Sequence, residues 1–234
     1  GYVRYARETA DNILDLMRQR ALKVSHYIHL RAELCTDTLV EELYEFLPND
    51  RVGLVSLMDH TPGQRQFRDT EKLRVYLMGK HGYDDAGVEA HFTRLKELQS
   101  LYLEKHRAAT VAYAKEVGAV LASHDDTTAD DVSASGGEGV TVAEFPTTSE
   151  AATACRAHGQ YIVMGAPNII RGGSHSGNVA AHDLANNGLL DILSSDYVPA
   201  ALLNAAVTLG ISMQDMAAGI RKVTAVPADA TGFD

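Results

Sequence analysis

The chain has 234 residues, of which 45% are hydrophobic and 22% charged, as is ordinary for a folded globular domain. Its formal net charge of −10 argues against a general nucleic-acid binder, since such proteins carry a basic surface, but a few local arginines can still hold an anionic small molecule. No run approaches the roughly 18 apolar residues of a membrane helix, so we expect no membrane association.

Strand-like apolar runs alternate with helical stretches along the chain. In chain order we predict a helix over Thr9–Leu22, a strand over His26–Cys35, a helix over Asp37–Leu47, strands over Arg51–His60, Ala119–His124 and Val140–Phe145, a helix over Ser149–His158, a strand over Tyr161–Ala166, a helix over Val179–Asn187, a strand over Leu190–Tyr197, and helices over Ala200–Leu209 and Met213–Val223. This alternation predicts a parallel sheet with helical crossovers.

Apolar spacing also predicts which helix faces are buried. A charged, helical insert from about 69 to 117 separates the second and third strands. Its expected inward residues are Leu95, Leu98, Leu101 and Tyr102. The helix over 37–47 is expected to bury Leu39, Leu43, Tyr44 and Leu47. The segment Ser133–Gly139 is expected to form a turn.

The number of strands bears on the fold class. A TIM-type (β/α) barrel has eight strands, whereas six are predicted here. The sequence also begins inside a helical pattern without Met and stops at 231–234. We therefore expect an α/β fold, an incomplete (β/α) barrel in which residues 1–234 form one partial catalytic domain.

Two cysteines bear on location. Cys35 and Cys155 lie far apart, and neither belongs to a C-x-x-C pair, so we interpret both as free thiols of a reducing cytoplasm. The first residues contain no signal-peptide core, which agrees with a cytoplasmic protein.

Charged residues inside an apolar strand carry a strong functional signal. In the first strand, His29, Arg31 and Glu33 alternate with Leu30 and Ala32. Successive strand side chains point to opposite faces, so the three charged residues share one face and the apolar ones face the helices. A charged inner face is costly unless its groups pair or bind a ligand.

Four strands end in residues that can bind a metal. Glu33, His60, His124 and Asp196 occupy the carboxyl ends of the first, second, third and last strands. This end of the strands is the catalytic face of a (β/α) barrel. Imidazole and carboxylate ligands suit zinc or manganese.

Each of these residues also has a structural explanation when it is taken singly. Asp59, Asp125 or Asp126 is most often a helix N-cap, and a lone histidine near a strand end is more often hydrogen-bonded than a ligand. Arg31 and Glu33 are explained equally well as a buried ion pair. The joint placement at four strand ends favours a metal site.

A second cluster of polar residues follows the fifth strand. Gly172 and Gly173 allow close backbone approach, Ser174 is a donor, and Arg171 can hold an anion bidentately. The segment 164–178 therefore predicts a phosphate-binding loop, with a plain flexible loop as the alternative. Arg65 lies in a turn beyond the second strand, where a generic surface turn is an equal explanation.

Together these residues resemble the PhnM family, the amidohydrolase-superfamily diphosphatases of bacterial phosphonate breakdown. The matching stretches are His29–Leu34, Ser56–Phe67, Leu121–Asp126, Ala143–Thr148, Met164–Ala180 and Asp191–Tyr197. The resemblance implies a β/α barrel beside a small β-sandwich. It also implies hydrolysis of alpha-D-ribose 1-methylphosphonate 5-triphosphate to the 5-phosphate and pyrophosphate, with one or two zinc or manganese ions.

The sequence departs from that family in one respect. The superfamily carries a metal-binding histidine motif on its first strand, and no such strand is found here. The strands present would then be the third to the eighth, with the first two strands and the flanking β-sandwich missing.

The resemblance also implies residue roles. Glu33, His60, His124 and Asp196 would be metal ligands or their immediate supports, and Asp196 would act as the general base. The residues expected to contact the phosphorylated substrate are Arg31, Arg65, Asn168, Arg171, Gly172, Gly173, Ser174 and His175. The alternatives are a cyclic-amide hydrolase or deaminase using the same site, or a non-catalytic fragment or scaffold. A homo-oligomer is among the assemblies that we allow for.

Overall fold

The computed structural model describes residues 5–174 and 177–233. Within them, six parallel strands form one sheet whose spatial order equals the chain order. The strands are β1 (Ile28–Glu33), β2 (Val52–Met58), β3 (Val120–His124), β4 (Val142–Glu144), β5 (Tyr161–Gly165) and β6 (Ile192–Ser194). The six predicted strands, their parallel pairing and their order are therefore confirmed.

Helices connect the strands and pack against the sheet. They are α1 (Ala6–Arg18), α2 (Leu39–Leu43), α3 (Thr70–His81), α4 (Asp85–Val117), α5 (Ala129–Gly137), α6 (Ser149–Ala157), α7 (Ala166–Arg171), α8 (Ala181–Asn186), α9 (Ala201–Ser212), α10 (Met216–Arg221) and α11 (Ala225–Thr231). Among the described residues, no helix is both long enough and apolar enough to cross a membrane.

The sheet has one apolar face under the helices and one face with two chemical zones. Along β1, Leu30 and Ala32 are buried against the helices, whereas His29 and Arg31 point to the other face, as predicted. On that second face, a small apolar cluster includes Val142, and α11 packs on it. Polar side chains occupy the same face nearer the carboxyl ends of the strands, which places the candidate functional site there.

Two segments have more helix than the sequence indicated. The predicted turn over Ser133–Gly139 is wrong for its first part, because α5 runs to Gly137. The helix starts at a capping box in which Thr128 and Asp131 satisfy each other's backbone N–H groups. The strand predicted to include Ala166 is also one residue too long, since Ala166 begins α7.

The predicted buried faces of two helices need correction. Leu101 is 69% exposed, and the buried residues of α4 include Phe92, near its start, and Tyr113, near its end. Around α2, Tyr44 and Leu47 are exposed while Phe46 is buried. The reason is that α2 has only one turn, so the chain leaves the helical periodicity after Leu43.

Helices α9 and α10 approach each other closely at Gly219, where a side chain would not fit. A Cβ on Gly219 would lie 2.4 Å from the Ala206 carbonyl oxygen and 2.7 Å from Gly210 Cα. We expect Gly219→Ala to lower the free energy of unfolding by about 1–3 kcal/mol, because backbone cannot yield as a flexible side chain does. Gly79→Ala, in α3 with open space around its Cβ, should instead raise it by roughly 0.5–1 kcal/mol.

Urea denaturation of the two variants beside the parent protein measures both changes. Equal effects of the two substitutions would contradict the close approach of α9 and α10.

Candidate active site

An open cavity of about 210 Å³ lies beyond the carboxyl ends of the strands. Residues that follow β2, β3, β4, β5 and β6 all contribute to its wall. The lining residues on which the site depends are Arg31, His60, His124, Asp125, Phe145, Asn168, Arg171, Gly173, Ser174 and Asp196. Parallel strands bring these residues together, although they are far apart in sequence.

Two histidines and one carboxylate meet at the base of this cavity. His60 Nε2 lies 3.8 Å from Asp125 Oδ2, and His124 Nε2 lies 3.5 Å from the same oxygen. The imidazole rings of His60 and His124 are 5.7 Å apart and nearly perpendicular. One ligand atom from each of the three residues lies within 4.8 Å of the others, which is close enough for a single ion to reach all three.

The other nitrogen of each imidazole is held by a carboxylate. His60 Nδ1 is hydrogen-bonded to Glu33 Oε2, whose partner oxygen accepts from the His60 backbone N–H at 3.2 Å. His124 Nδ1 lies 3.2 Å from Glu144 Oε2. This arrangement, with Nδ1 on a carboxylate and Nε2 free for an ion, is the usual environment of metal-binding histidines.

Asp125 is held in an unusual backbone conformation. Its φ of 58° is in the left-handed region, and its backbone N–H donates to the Glu144 carbonyl at 2.9 Å. The side chain is buried, and among the described residues Oδ2 finds no hydrogen-bond donor. An unpaired buried carboxylate oxygen facing two imidazole nitrogens fits the donor set of a divalent cation such as zinc or manganese.

The local electrostatics follow from burial and these hydrogen bonds. Burial raises the pKa of the Asp125 carboxyl, although His124 and His60 oppose the change. Burial also works against ionisation of Glu144, but the hydrogen bond from His124, the nearby His29 and the Ser56 hydroxyl outweigh it and lower the Glu144 pKa. Burial would lower the pKa of His60, yet the hydrogen bond to Glu33 outweighs it and raises that pKa.

The predicted metal residues occupy different positions in this site. His60, His124 and Asp196 line the cavity, and Glu33 contacts His60. Asp196 follows β6 with a φ of 48°, and a Cβ on Gly165 would lie 3.1 Å from its Oδ2. Glu33 thus occupies a supporting position, and Asp196 lies at the cavity wall.

The predicted substrate residues other than Arg65 fall into three groups. Arg31, Asn168, Arg171, Gly173 and Ser174 line the cavity. Gly172 follows α7 as its C-cap, with a φ of 80° that lets the chain turn there. His175 lies outside the described residues.

Two of these residues also have partners within the protein. Asn168 Oδ1 accepts from the Ala181 backbone N–H at 2.9 Å, which links α7 to the start of α8. Arg171 Nη2 donates to the Tyr197 hydroxyl at 3.0 Å across the cavity mouth. Within the described part of the segment predicted as one phosphate-binding loop, residues 164–165 end β5, α7 follows, and the chain turns at Gly172.

Arg65 has a different environment from the other predicted substrate residues. Its guanidinium is nearly buried and donates to Asp126 Oδ1 at 2.5 Å and to the His124 carbonyl at 2.8 Å. Arg65 is not among the described residues that line the cavity. In this arrangement Arg65 supports the backbone that carries His124 and Asp125.

Asp125 and Glu144 were not among the predicted site residues. The helix N-cap explanation for Asp125 and Asp126 does not hold, because Thr128 caps α5. Glu144 carries a signal that the sequence does contain, since it is a charged residue in an otherwise apolar strand. Alternation along β4 places Glu144 on the same sheet face as Val142. This is the face that carries the polar side chains near the carboxyl ends of the strands.

A second group of potential ligands lies beside the first. Glu33, Cys35 and Asp59 offer ligand atoms within 4.8 Å of one another. The Cys35 thiol donates to Asp59 Oδ1 at 3.2 Å, and Gln99 Nε2 donates to Asp59 Oδ2 at 2.7 Å. Burial raises the pKa of Cys35 to about 12. Since Asp59 is satisfied by these donors, the His60, His124 and Asp125 group fits a metal better.

The structure defines a parallel α/β protein with a polar cavity at the carboxyl ends of its strands. Over 223 residues the chain is 44% identical to the alpha-D-ribose 1-methylphosphonate 5-triphosphate diphosphatase of Escherichia coli (strain K12). The matched region is 94% of this chain and 59% of that relative, so the chain spans about three fifths of the relative's length. No family model matches the chain, and no solved structure matches it.

Proposed function

We propose that this chain carries most of the catalytic domain of a metal-dependent diphosphatase of phosphonate catabolism. The substrate would be alpha-D-ribose 1-methylphosphonate 5-triphosphate, and the products would be the 5-phosphate and pyrophosphate. The observation that carries this proposal is the 44% identity, over 223 residues, to a protein named for that activity. The His60, His124 and Asp125 cluster supports it, because its donor set suits a metal ion.

The proposal includes the fold of the whole domain. Six parallel strands in consecutive order, joined by helices, support a partial TIM-type barrel. We assign them as the third to the eighth strands, with residues 1–234 as one partial barrel domain and α3 and α4 as its insert. The first two strands and a flanking β-sandwich would complete the protein. Its buried cysteines, neither of them in a disulfide, support a reducing, cytoplasmic location.

The metal would be held by His60, His124 and Asp125, with Glu33 and Glu144 orienting the two imidazoles. When bound, a zinc or manganese ion supplies Lewis acidity and a readily deprotonated water. Asp196, which lines the same cavity, would accept a proton from the attacking water. We retain Asp196 as an additional metal ligand in this proposal.

Cationic and hydroxyl donors at the cavity mouth would bind the triphosphate. The Arg171 guanidinium and the Ser174 hydroxyl would neutralise charge that builds on the departing pyrophosphate. Gly173 would shape the wall beside them, since its backbone N–H donates to the Asn168 carbonyl at 2.9 Å. Arg31, which also lines the cavity, would hold the remainder of the phosphorylated sugar. These contacts require an anionic ligand and give a neutral cyclic amide little to bind.

The full-length protein tests this proposal directly. Purified enzyme should contain zinc or manganese by elemental analysis and should release pyrophosphate, but not orthophosphate, from the proposed substrate. Turnover of a cyclic amide or an amine in place of the triphosphate would favour the hydrolase or deaminase alternative. A protein with neither metal nor turnover would be the non-catalytic alternative.

A further inference from the structure

A continuous line of hydrogen bonds runs under the candidate metal site and connects four strands. His29 Nε2 on β1 lies 2.6 Å from Ser56 Oγ on β2. Ser56 Oγ lies 2.6 Å from Glu144 Oε2 on β4, which in turn lies 3.2 Å from His124 Nδ1 on β3. Ser56 is fully buried and Glu144 nearly so, whereas the His29 side chain is 33% exposed at the edge strand.

The direction of each hydrogen bond follows from the chemistry of the groups. An ionised carboxylate can only accept, so both Ser56 Oγ–H and His124 Nδ1–H donate to Glu144 Oε2. A serine hydroxyl has one proton, and Ser56 uses it in the hydrogen bond that it donates to Glu144. The close contact with His29 therefore requires His29 Nε2–H to donate to Ser56 Oγ. His29 thus donates to Ser56, while Ser56 and His124 both donate to the Glu144 carboxylate.

This directionality determines the state of His124. A neutral imidazole has one protonated nitrogen, so a proton fixed on Nδ1 leaves the Nε2 lone pair free. Nε2 is the atom that faces Asp125 Oδ2 at 3.5 Å. If Glu144 turned away, His124 could carry its proton on Nε2 and would then be unable to bind an ion there.

We propose that Ser56 and His29 are positioning residues of the candidate metal site, which fix Glu144 so that it holds His124 in the Nδ1–H form. This inference rests on the proposed metal function for its purpose. Its structural content, the proton position on His124, does not depend on that function. His29 and Ser56 touch neither the cavity wall nor the proposed ligand atoms, so their effect would pass through Glu144.

A pair of serine variants tests the proposal. Ser56→Ala removes the donor to Glu144 and should lower Zn²⁺ affinity of the full-length protein by roughly tenfold. Ser123→Ala is the matched control, because Ser123 lies on the adjacent strand β3, is equally buried, and has an Oγ without a hydrogen-bond partner among the described residues. It should bind Zn²⁺ as the parent does.

A pair of histidine variants tests the outer end of the line. His29→Gln keeps an N–H donor near the Nε2 position and should retain Zn²⁺ affinity, while His29→Leu should lower it. Since His29 lies exposed on the edge strand, both proteins are expected to fold, and they decide the matter even if Ser56→Ala does not fold. A general loss of packing would not distinguish glutamine from leucine in this way.

Nitrogen-15 NMR of the His124 imidazole in metal-free protein reads the proton position itself. The parent, Ser123→Ala and His29→Gln should show the Nδ1–H form, and Ser56→Ala and His29→Leu a larger share of Nε2–H. Identical spectra for all five proteins would overturn the proposal. If the parent bound no Zn²⁺, the proposed function would fail, and the NMR comparison would still decide between the two states of His124.

Discussion

If the proposed function holds, replacing His124 with alanine should remove most of the zinc or manganese that the full-length protein binds and lower its diphosphatase turnover by orders of magnitude. Asp125→Asn should act similarly, because the buried Oδ2 that faces both imidazoles loses its charge. The physical reason is that a direct ligand contributes more than a supporting group, and loss of a supporting group already costs roughly 10–100-fold in affinity or activity.

Substitutions of Glu33 and Asp196 should affect metal affinity and turnover to different degrees. Glu33→Ala leaves the His60 ring in place but removes the acceptor on Nδ1, so metal affinity should fall by about 10–100-fold. Asp196→Ala should reduce turnover strongly whether or not metal is retained, since Asp196 is the proposed proton acceptor. Elemental analysis and steady-state turnover, measured on the same preparations, separate the two outcomes.

A buried histidine outside the site provides the control. His106 in α4 is 3% exposed and its Nδ1 contacts the Leu34 carbonyl at 3.0 Å, so His106→Ala removes an equal volume from the protein interior. Its metal content per folded chain should match that of the parent. Retention of metal and turnover in the His124, Asp125 and Glu33 variants together would show that the assignment of the site is wrong.

Much of the fold could be predicted from the sequence because strand and helix periodicities are local. The alternation of His29, Arg31 and Glu33 with Leu30 and Ala32 gave the correct faces of β1. Prediction was poorest where apolar residues are few or the element is short. Only one turn forms in α2, and α5 is specified by its capping box and contains several glycine and serine residues.

The site was harder to predict because it depends on contacts between strands. The sequence indicated His60 and His124 as ligands, and the structure brings them to one cavity. It did not indicate that Glu33 would contact an imidazole nitrogen, since that requires the register between β1 and β2. Asp125 was obscured by the N-cap explanation, and only its left-handed φ of 58° and its burial distinguish it.

Arg171→Ala should weaken binding of a polyphosphate ligand by about 1.5–3 kcal/mol, or roughly 10- to 150-fold in Kd. Arg171 is the last residue of α7 and lines the cavity. Its guanidinium donates a hydrogen bond to the Tyr197 hydroxyl. A guanidinium can donate two parallel bonds to phosphate oxygens. Arg171→Lys should restore binding only in part, because an ammonium group lacks that bidentate geometry.

Calorimetric titration of the full-length protein with inorganic pyrophosphate, the proposed leaving group, measures this effect. Arg156→Ala is the matched control, since Arg156 is also an exposed arginine in the last turn of a helix but pairs with Asp191 away from the cavity. It should leave pyrophosphate affinity unchanged. Ribose, which carries no phosphate, gives the second comparison. An equal loss of affinity for ribose and pyrophosphate in Arg171→Ala would mean that the arginine maintains the shape of the cavity mouth through Tyr197 and does not bind the anion.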